Sequence, residues 1–359
     1  MWPDQRLCDL FGIEHPIIQA PMSHSSTPEL AVAVCQSGGL GSLGCAEAEL
    51  GTVRADALQV RAGTNRSFNL NFFVNPAPRI DPVIFGANRE RLRPWYDKFG
   101  LAKPSDGHSD RVAGFDAAKL AVLLEVRPPV VSFHFGVPDD AAIASLKASG
   151  IKLVSSASNV AEAVELERRG MDAIIAQGWE AGGHRGSHRP TAPWEGVGTM
   201  ALVPQVVNTV KIPVIAAGGI GDGRGIAAAF ALGACGVQMG TAFLSCPEAA
   251  TDPVRRRLLR EAQDTDTIVT DSISGRSARC VRSRYVEAME TTRKPVLDFP
   301  MMYDLTVPIT SAGFDEDANF HLYGQAAALN RELPAAELMS RLVDEAAAVF
   351  AKVSRGRSG

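Results

Sequence analysis

The chain has 359 residues, 46% of them hydrophobic and 21% charged, with a formal net charge of −4. That balance suits a globular core and excludes a disordered or fibrous chain, and its sign gives no electrostatic footprint for nucleic acid. No apolar run reaches the ~18 residues of a membrane-spanning helix, the N-terminal Met-Trp-Pro-Asp-Gln-Arg lacks the charged and apolar regions of a secretory signal, and the six cysteines show neither a C-x-x-C pair nor a metal-ligand spacing. The expectation is a cytoplasmic protein with free thiols and no metal.

Short apolar, β-branched runs alternate with amphipathic stretches over the first two-thirds of the chain. The pattern predicts strands over 16–20, 40–43, 68–73, 130–135, 152–155, 172–176, 213–217 and 236–239. Helices are predicted over 27–36, 46–62, 116–125, 139–149, 160–169, 202–209 and 223–232. Several stop at a glycine (Gly38, Gly63, Gly150, Gly170, Gly233), as left-handed helix caps prefer. Strict alternation with strands apolar on both faces predicts a parallel sheet, either open and doubly wound or closed. The count of eight favours an α/β fold of the (β/α)8 TIM-like barrel type.

Two stretches break the rhythm. Residues 75–114 carry Pro76, Pro78, Pro82, Pro94 and Pro104 and read as a long excursion after the third strand, with one short helix over 88–99. Beyond Cys246 a helix over 252–262 and a strand over 266–270 lead through irregular chain to helices near 323–330 and 334–353. The division expected is a barrel over 1–245, a lid-forming substrate insertion over 246–319, and C-terminal helices over 320–359 packing back on the barrel. The basic run Arg255-Arg256-Arg257, beside Glu261 and Asp264, reads as a solvated helix face.

The chemistry-bearing motifs fall just past predicted strands. In such a barrel the loops leaving the strands share one face, and phosphate is commonly held after the last two. Gly218-Gly219-Ile220-Gly221 follows the seventh strand and Gly240-Thr241 the eighth. Glycines there let backbone N–H groups approach phosphate oxygens, and the helix that follows adds the positive end of its dipole. Glycine spacing alone loosely suggests a dinucleotide fingerprint, but the strand before it is the seventh and no acidic residue ends the next one. The paired loops favour phosphate.

His184 ends the loop Gln177-Gly-Trp-Glu-Ala-Gly-Gly-His184 after the sixth strand. Gly182 and Gly183 permit a flat ligand to approach, and the imidazole could donate to a substrate above it or take a proton from one. An isolated histidine more often bonds a loop carbonyl; its setting favours the catalytic reading. His134, at the end of the fourth strand, is a second candidate, with a satisfied barrel-interior histidine equally in view. His108 and His188 read as solvated loop residues. The amides of Asn71 and Gln177 could read a heterocycle edge or cap loop backbone, and Ala20-Pro21-Met22 offers backbone groups and a polarizable thioether to an aromatic ring or to core packing.

Together these residues resemble the nitronate monooxygenase family, formerly the 2-nitropropane dioxygenases, along most of the chain. Gln19-Ala-Pro-Met22 is similar to its opening motif, Asn71 to its flavin-contacting asparagine, Glu180-Ala-Gly-Gly-His184 to its signature, Ala217-Gly-Gly219 with Gln238-Met-Gly-Thr241 to its phosphate site, and Gly324-Gln325 to its ending. The resemblance implies an FMN-binding barrel with a smaller substrate domain. It also implies that Gln177, Gly182, Gly219, Gln238, Met239, Gly240, Thr241 and Asn71 bind FMN, with Ala20, Pro21, Met22, Gly183 and Gly218 beside them, and that His184 is catalytic. The family places several tyrosines and a basic residue near 299–307. This chain keeps Tyr303, a candidate substrate contact with His134, while Phe299 and Val307 are apolar.

The leading expectation is oxidation of an alkyl nitronate, such as propionate 3-nitronate, by FMN and dioxygen through a flavin semiquinone. His184 then neutralises the nitronate as a cation or hydrogen-bond donor, or acts as base on a neutral nitroalkane. One alternative is an NAD(P)H-dependent FMN reductase acting on a quinone or enoyl thioester. Another is a flavin-free barrel that binds a sugar phosphate or acts as an isomerase through His184. Monomer and homodimer are both open.

Overall fold

The computed structural model describes residues 2–79, 81–102, 104, 114–314 and 317–355. Eight parallel strands form the central sheet: β1 (Ile17–Gln19), β2 (Gly41–Gly44), β3 (Phe68–Phe73), β4 (Val130–His134), β5 (Lys152–Ala157), β6 (Ala173–Gln177), β8 (Val214–Ala217) and β9 (Gly236–Met239). Their order is β1-β9-β8-β6-β5-β4-β3-β2. The two ends meet through a parallel bridge between Ile18 and Leu40, with Gln19 N–H donating to Leu40 C=O at 3.0 Å and Leu40 N–H to Ile17 C=O at 3.0 Å. The chain is therefore a closed (β/α)8-type barrel. One buried amide reinforces the seam: Gln19 Oε1 accepts from Ser42 N–H at 2.8 Å.

Helices α2 (Pro28–Gln36), α3 (Leu50–Gly63), α5 (Ala117–Val126), α6 (Asp140–Ala148), α7 (Val160–Arg168), α8 (Thr199–Val207) and α9 (Gly223–Ala231) form the outer layer. Short polar side chains start most of them: Thr27, Asp116, Asp139, Asn159 and Asp222 each accept a first-turn backbone N–H, a cap worth about 1 kcal/mol. A short α1 (Arg6–Phe11), not expected from the sequence, packs Leu7 and Phe11 into the base of the barrel beside Ile18 and Ile215. Helix α13 (Ala335–Arg355) buries Leu338, Met339, Leu342 and Ala346 in the main core. At Gly223 on α9 an added Cβ would lie 2.3 Å from Glu345 Cβ, so glycine there lets α9 and α13 meet.

Outside the barrel, β10 (Thr267–Thr270), β11 (Ala278–Val281) and the two-residue β7 (Gly183–His184) make a small antiparallel sheet, ordered β10-β11-β7. It packs with α4 (Pro82–Lys98), α11 (Arg284–Thr291) and α12 (Met301–Ala312) around Leu92, Tyr96, Tyr285, Met302 and Ile309. Helix α4 lies in the range assigned to the barrel from sequence, yet its buried residues join this second cluster.

Several expectations need correction. The excursion helix starts at Pro82, not near residue 88, because Asp81 caps it by accepting from Val83 and Ile84 N–H at 2.9 and 3.1 Å. The stretch read as irregular after residue 270 holds β11, α11 and α12. Pro308 sits inside α12 and hid its helical period, and Arg279 is a buried cation in β11. Near 323–330 only a single 3-10 turn forms, Ala327–Leu329. All six cysteines are buried free thiols, and among the described residues no helix is long and apolar enough to cross a membrane.

Candidate active site

A cavity of about 560 Å³ opens at the C-terminal ends of the barrel strands. Every site residue singled out from sequence lines it: Ala20, Pro21 and Met22 after β1; Asn71 on β3; His134 on β4; Gln177, Gly182, Gly183 and His184 after β6; Gly218 and Gly219 after β8; Gln238, Met239, Gly240 and Thr241 at β9; and Tyr303 on α12. Parallel strands of similar length bring these loops to one rim although the residues span most of the chain.

The glycines divide into two kinds. Gly218 and Gly219 adopt φ of 103° and 73°, left-handed backbone that other residues enter at a cost of about 1–2 kcal/mol. Among the described residues the N–H groups of Gly219, Ile220 and Gly240 find no acceptor. Gly182 instead serves internal packing. A Cβ there would lie 2.5 Å from both Gly324 N and Tyr323 C, and the Gly324 N–H donates to Thr241 Oγ1 at 2.9 Å. Glu180, in the same loop, is occupied structurally: its carboxylate accepts Thr199 N–H at 3.0 and 2.9 Å and so caps α8.

Of the amides, Asn71 donates to Ser132 Oγ at 2.9 Å and to its carbonyl at 3.2 Å. Gln177 ties down its own loop, donating through Nε2 to His184 C=O at 3.0 Å and accepting Gly186 N–H at 2.7 Å through Oε1. It still holds one free N–H and one lone pair. Gln238 Oε1 is buried without a hydrogen-bond partner among the described residues, an arrangement that carries a desolvation cost of about 1–3 kcal/mol unless a ligand donates to it.

The two histidines play different parts. His134 Nε2 faces the His184 carbonyl at 3.1 Å, which only accepts, so Nε2 carries the proton and Nδ1 accepts from Ser156 Oγ at 2.7 Å. Burial lowers its pKa to about 4. It is the satisfied interior histidine, and it holds the backbone of His184. The His184 ring stands edge-on to Phe73, Phe135, Phe299 and Phe320, with centroids 5.5–6.1 Å away. Burial among them, with the nearby His134 and Arg276 adding, lowers its pKa to about 3. His184 Nε2 lies 2.9 Å from Ser274 Oγ, whose hydroxyl in turn reaches Arg276 C=O at 3.1 Å. Both contacts are satisfied when Ser274 donates to that carbonyl and His184 carries its proton on Nε2. Nδ1 is then a bare acceptor with no protein partner among the described residues.

Three expectations fail here. His184 is neutral at neutral pH, which removes the cationic of the two roles expected toward an anion; the hydrogen-bonding role needs the other tautomer, with Ser274 Oγ donating to Nε2 and the proton on Nδ1. His188 is not a solvated loop residue: its N–H donates to Glu162 at 3.0 Å and its Nε2 to Ser156 C=O at 3.0 Å. His108 lies outside the described residues. Nor is Arg255-Arg256-Arg257 a solvated face. Arg256 donates to the carbonyls of Ser245, Cys246, Ala249 and Thr251 at 2.8–3.0 Å, and Arg255 lines the cavity with 16% of its side chain exposed. Runs of charge carry no sign of which members turn inward when the segment caps a cavity instead of a barrel flank. Ser274, Phe299 and Phe320 were also missed from sequence, because their role exists only once the second cluster folds over the rim, and Phe73 and Phe135 because an apolar residue at the end of a barrel strand reads as core.

A closed α/β barrel with glycine loops after its last two strands and an imidazole over the same rim defines a cofactor-dependent enzyme of the TIM-barrel class. The chain belongs to the nitronate monooxygenase family: a family model of that description matches residues 4–345. It is 44% identical over 346 residues to the nitronate monooxygenase of Paraburkholderia phytofirmans, covering 94% of each chain. It is 42% identical over 346 residues to that of Pseudomonas aeruginosa, covering 95% of this chain and 98% of the relative. Among solved structures it resembles nitroalkane oxidase from Streptomyces ansochromogenes with a TM-score of 0.88 and 36% identity, covering 97% and 99% of the two chains. FabK from Thermotoga maritima gives 0.75 and 31%, with 98% of both chains covered. The protein is thus an enzyme, a flavin-dependent oxidoreductase of a family that oxidises nitronates.

Proposed function

We propose that this enzyme holds FMN in the cavity and oxidises alkyl nitronates, such as propionate 3-nitronate, with dioxygen as the final oxidant. The observation that carries the reading is a neutral imidazole, fixed at Nε2 and open at Nδ1, over the same cavity as the unpartnered amides of Gly219, Ile220 and Gly240. The residues fit the cofactor. Those N–H groups, with Gly218 giving the turn and Thr241 a hydroxyl, suit a terminal phosphate. The orphaned Gln238 Oε1 suits a ring N–H, with Asn71 and Gln177 as further edge contacts. At Gly240 an added Cβ would meet only Ala20 Cβ at 3.5 Å and Met22 Sδ at 3.8 Å, so Ala20, Pro21 and Met22, with Met239, can lie along a flat ligand; Gly183, left-handed at φ 77° with only Leu322 Cδ1 near an added Cβ, faces it from the other loop.

Bound FMN supplies electron acceptance. The chain supplies position and proton control. A nitronate already carries the electrons to be given up, so the site has only to orient it, with His184 donating from Nδ1 in the tautomer whose Nε2 accepts from Ser274 Oγ, and to exclude water, to which the phenylalanines around the ring contribute. A neutral nitroalkane must first lose its α-proton, and His184 Nδ1 is the base for that. A pKa near 3 keeps the ring neutral across the working range and makes it a weak base, so a substrate that arrives already deprotonated asks less of it than a neutral nitroalkane does.

The test is anaerobic. Purified protein with FMN is mixed with propionate 3-nitronate or with NADH, and the flavin absorbance is followed. Rapid bleaching by the nitronate and not by NADH is expected. The reverse would assign the enzyme to NAD(P)H-dependent reduction of a quinone or enoyl thioester, and protein that stays colourless with added FMN would end both readings.

A further inference from the structure

Arg255 is the single arginine or lysine among the described residues lining the cavity. Of the other ionisable groups there, Asp252 pairs with Arg255 itself, its Oδ2 3.6 Å from Nε, and four more are committed elsewhere. His134 and His184 are neutral, Glu180 caps α8, and Glu47 pairs with His24 at 3.3 Å on the exposed side. A nitronate entering this space meets one permanent positive charge, and it is not at the imidazole.

The guanidinium is held in place but incompletely satisfied. Nη1 donates to Ser25 Oγ at 3.0 Å and Nε to His321 Nδ1 at 3.5 Å. Asp252 caps α10 (Pro253–Glu261) by accepting the Arg255 N–H through Oδ1 at 2.8 Å, which turns its carboxylate toward the helix end and leaves Oδ2 3.6 Å from Nε. Among the described residues Nη2 has no partner, although the side chain is 84% covered, as 16% exposure requires. Tyr303 lies close enough that its hydroxyl bears on the Arg255 charge. The Tyr303 ring is 6.1 Å from Phe320, itself 6.0 Å from His184, so Arg255 and His184 face one continuous space. Keeping an arginine largely covered with Nη2 unpartnered has a desolvation cost that an arriving anion would offset. Planar guanidinium donors match a carboxylate.

We propose that Arg255, with Ser25 and Tyr303 beside it, is the anchor for a carboxylate carried at the far end of the nitronate, so that the enzyme selects carboxylated over neutral alkyl nitronates. The inference rests on the nitronate reading given above and narrows its substrate class. It sets the reacting carbon by fixing the opposite end of a short molecule, leaving His184 to meet the nitronate group.

The experiment compares propionate 3-nitronate with the nitronate of 1-nitrobutane, which lacks the carboxylate, on the FMN-loaded enzyme. Wild-type kcat/KM should favour the carboxylated substrate by at least about tenfold, with the preference shrinking as salt rises. In Arg255→Gln the ratio of the two should fall by about 10- to 100-fold, chiefly through KM, and Arg255→Lys should recover part of it. Calorimetry gives a readout without turnover: succinate, isosteric with propionate 3-nitronate, should bind wild type more tightly than butyrate, and Arg255→Gln should abolish the difference. A wild type that treats the two nitronates alike overturns the proposal even if the variants do not fold. So does a variant whose ratio is unmoved, or one that loses FMN, which would assign Arg255 to the cofactor. If neither nitronate reduces the flavin at all, the nitronate reading itself has failed.

Discussion

The two halves of the cavity are built from different material. On the barrel side main-chain N–H groups in the glycine loops after β8 and β9 stand with the amides of Asn71, Gln177 and Gln238. On the other side the contacts are side chains alone, His184, Ser274, Phe299, Phe320, Tyr303 and Arg255, delivered by the small sheet, α10, α12 and the segments flanking it, with Phe73 of β3 and Phe135 after β4 meeting them from the barrel. Backbone amides hold whatever presents a phosphate, whereas side chains can be exchanged one by one. The first half therefore suits a fixed cofactor and the second a substrate whose selection single substitutions can change.

If that division holds, substitutions on one side should leave the other's property intact. The largest effect is expected at His184: His184→Asn should lower kcat/KM on a neutral nitroalkane by about 10²- to 10⁴-fold while the protein stays yellow, and undiminished activity would remove the base role. Next is acid stability. His134 has its folded pKa lowered to about 4 from 6.5, so the unfolded chain binds more protons in that window and stability falls as pH drops from about 6.5 toward 4, by on the order of 3 kcal/mol. Denaturation midpoints across pH should show this slope together with that of His184, lowered to about 3, and His134→Gln should remove only its own share; an unchanged slope would mean that His134 contributes none of it. On the amide side, Gly219→Ala forces a side chain into left-handed backbone, at about 1–2 kcal/mol, and should weaken FMN binding about tenfold by fluorescence titration. A loss of nitroalkane proton abstraction with FMN affinity intact would break the comparison. The smallest effect is Ser274→Ala, which removes the His184 Nε2 contact and should cost about three- to tenfold in nitroalkane kcat/KM.

The barrel half was legible because its signals are local. Each strand is a short apolar run, each cap a Thr, Asp or Asn at the right offset, and Gly218-Gly219 with Gly240-Thr241 sit where strands end, so their convergence follows from the topology. Arg255 shows why the other half was not. Nothing in Pro253-Val-Arg-Arg-Arg says that one arginine turns into a cavity, one bonds four carbonyls and one meets water; that depends on what α10 packs against. Ser274 is likewise a plain serine until the antiparallel pairing of Ala278 with His184 draws β11 beside β7. His134 lay between: its ambiguity in sequence was resolved by a carbonyl contributed by residue 184.

The contact of Gly182 with Tyr323 and Gly324 has a consequence for biosynthesis. The loop bearing the imidazole follows the sixth barrel strand, but the backbone it leans on is translated only after the last barrel strand. A nascent chain with all eight barrel strands outside the ribosome would still lack the support that sets this loop, so competence to bind and react arrives late and all at once, long after the barrel can begin to close.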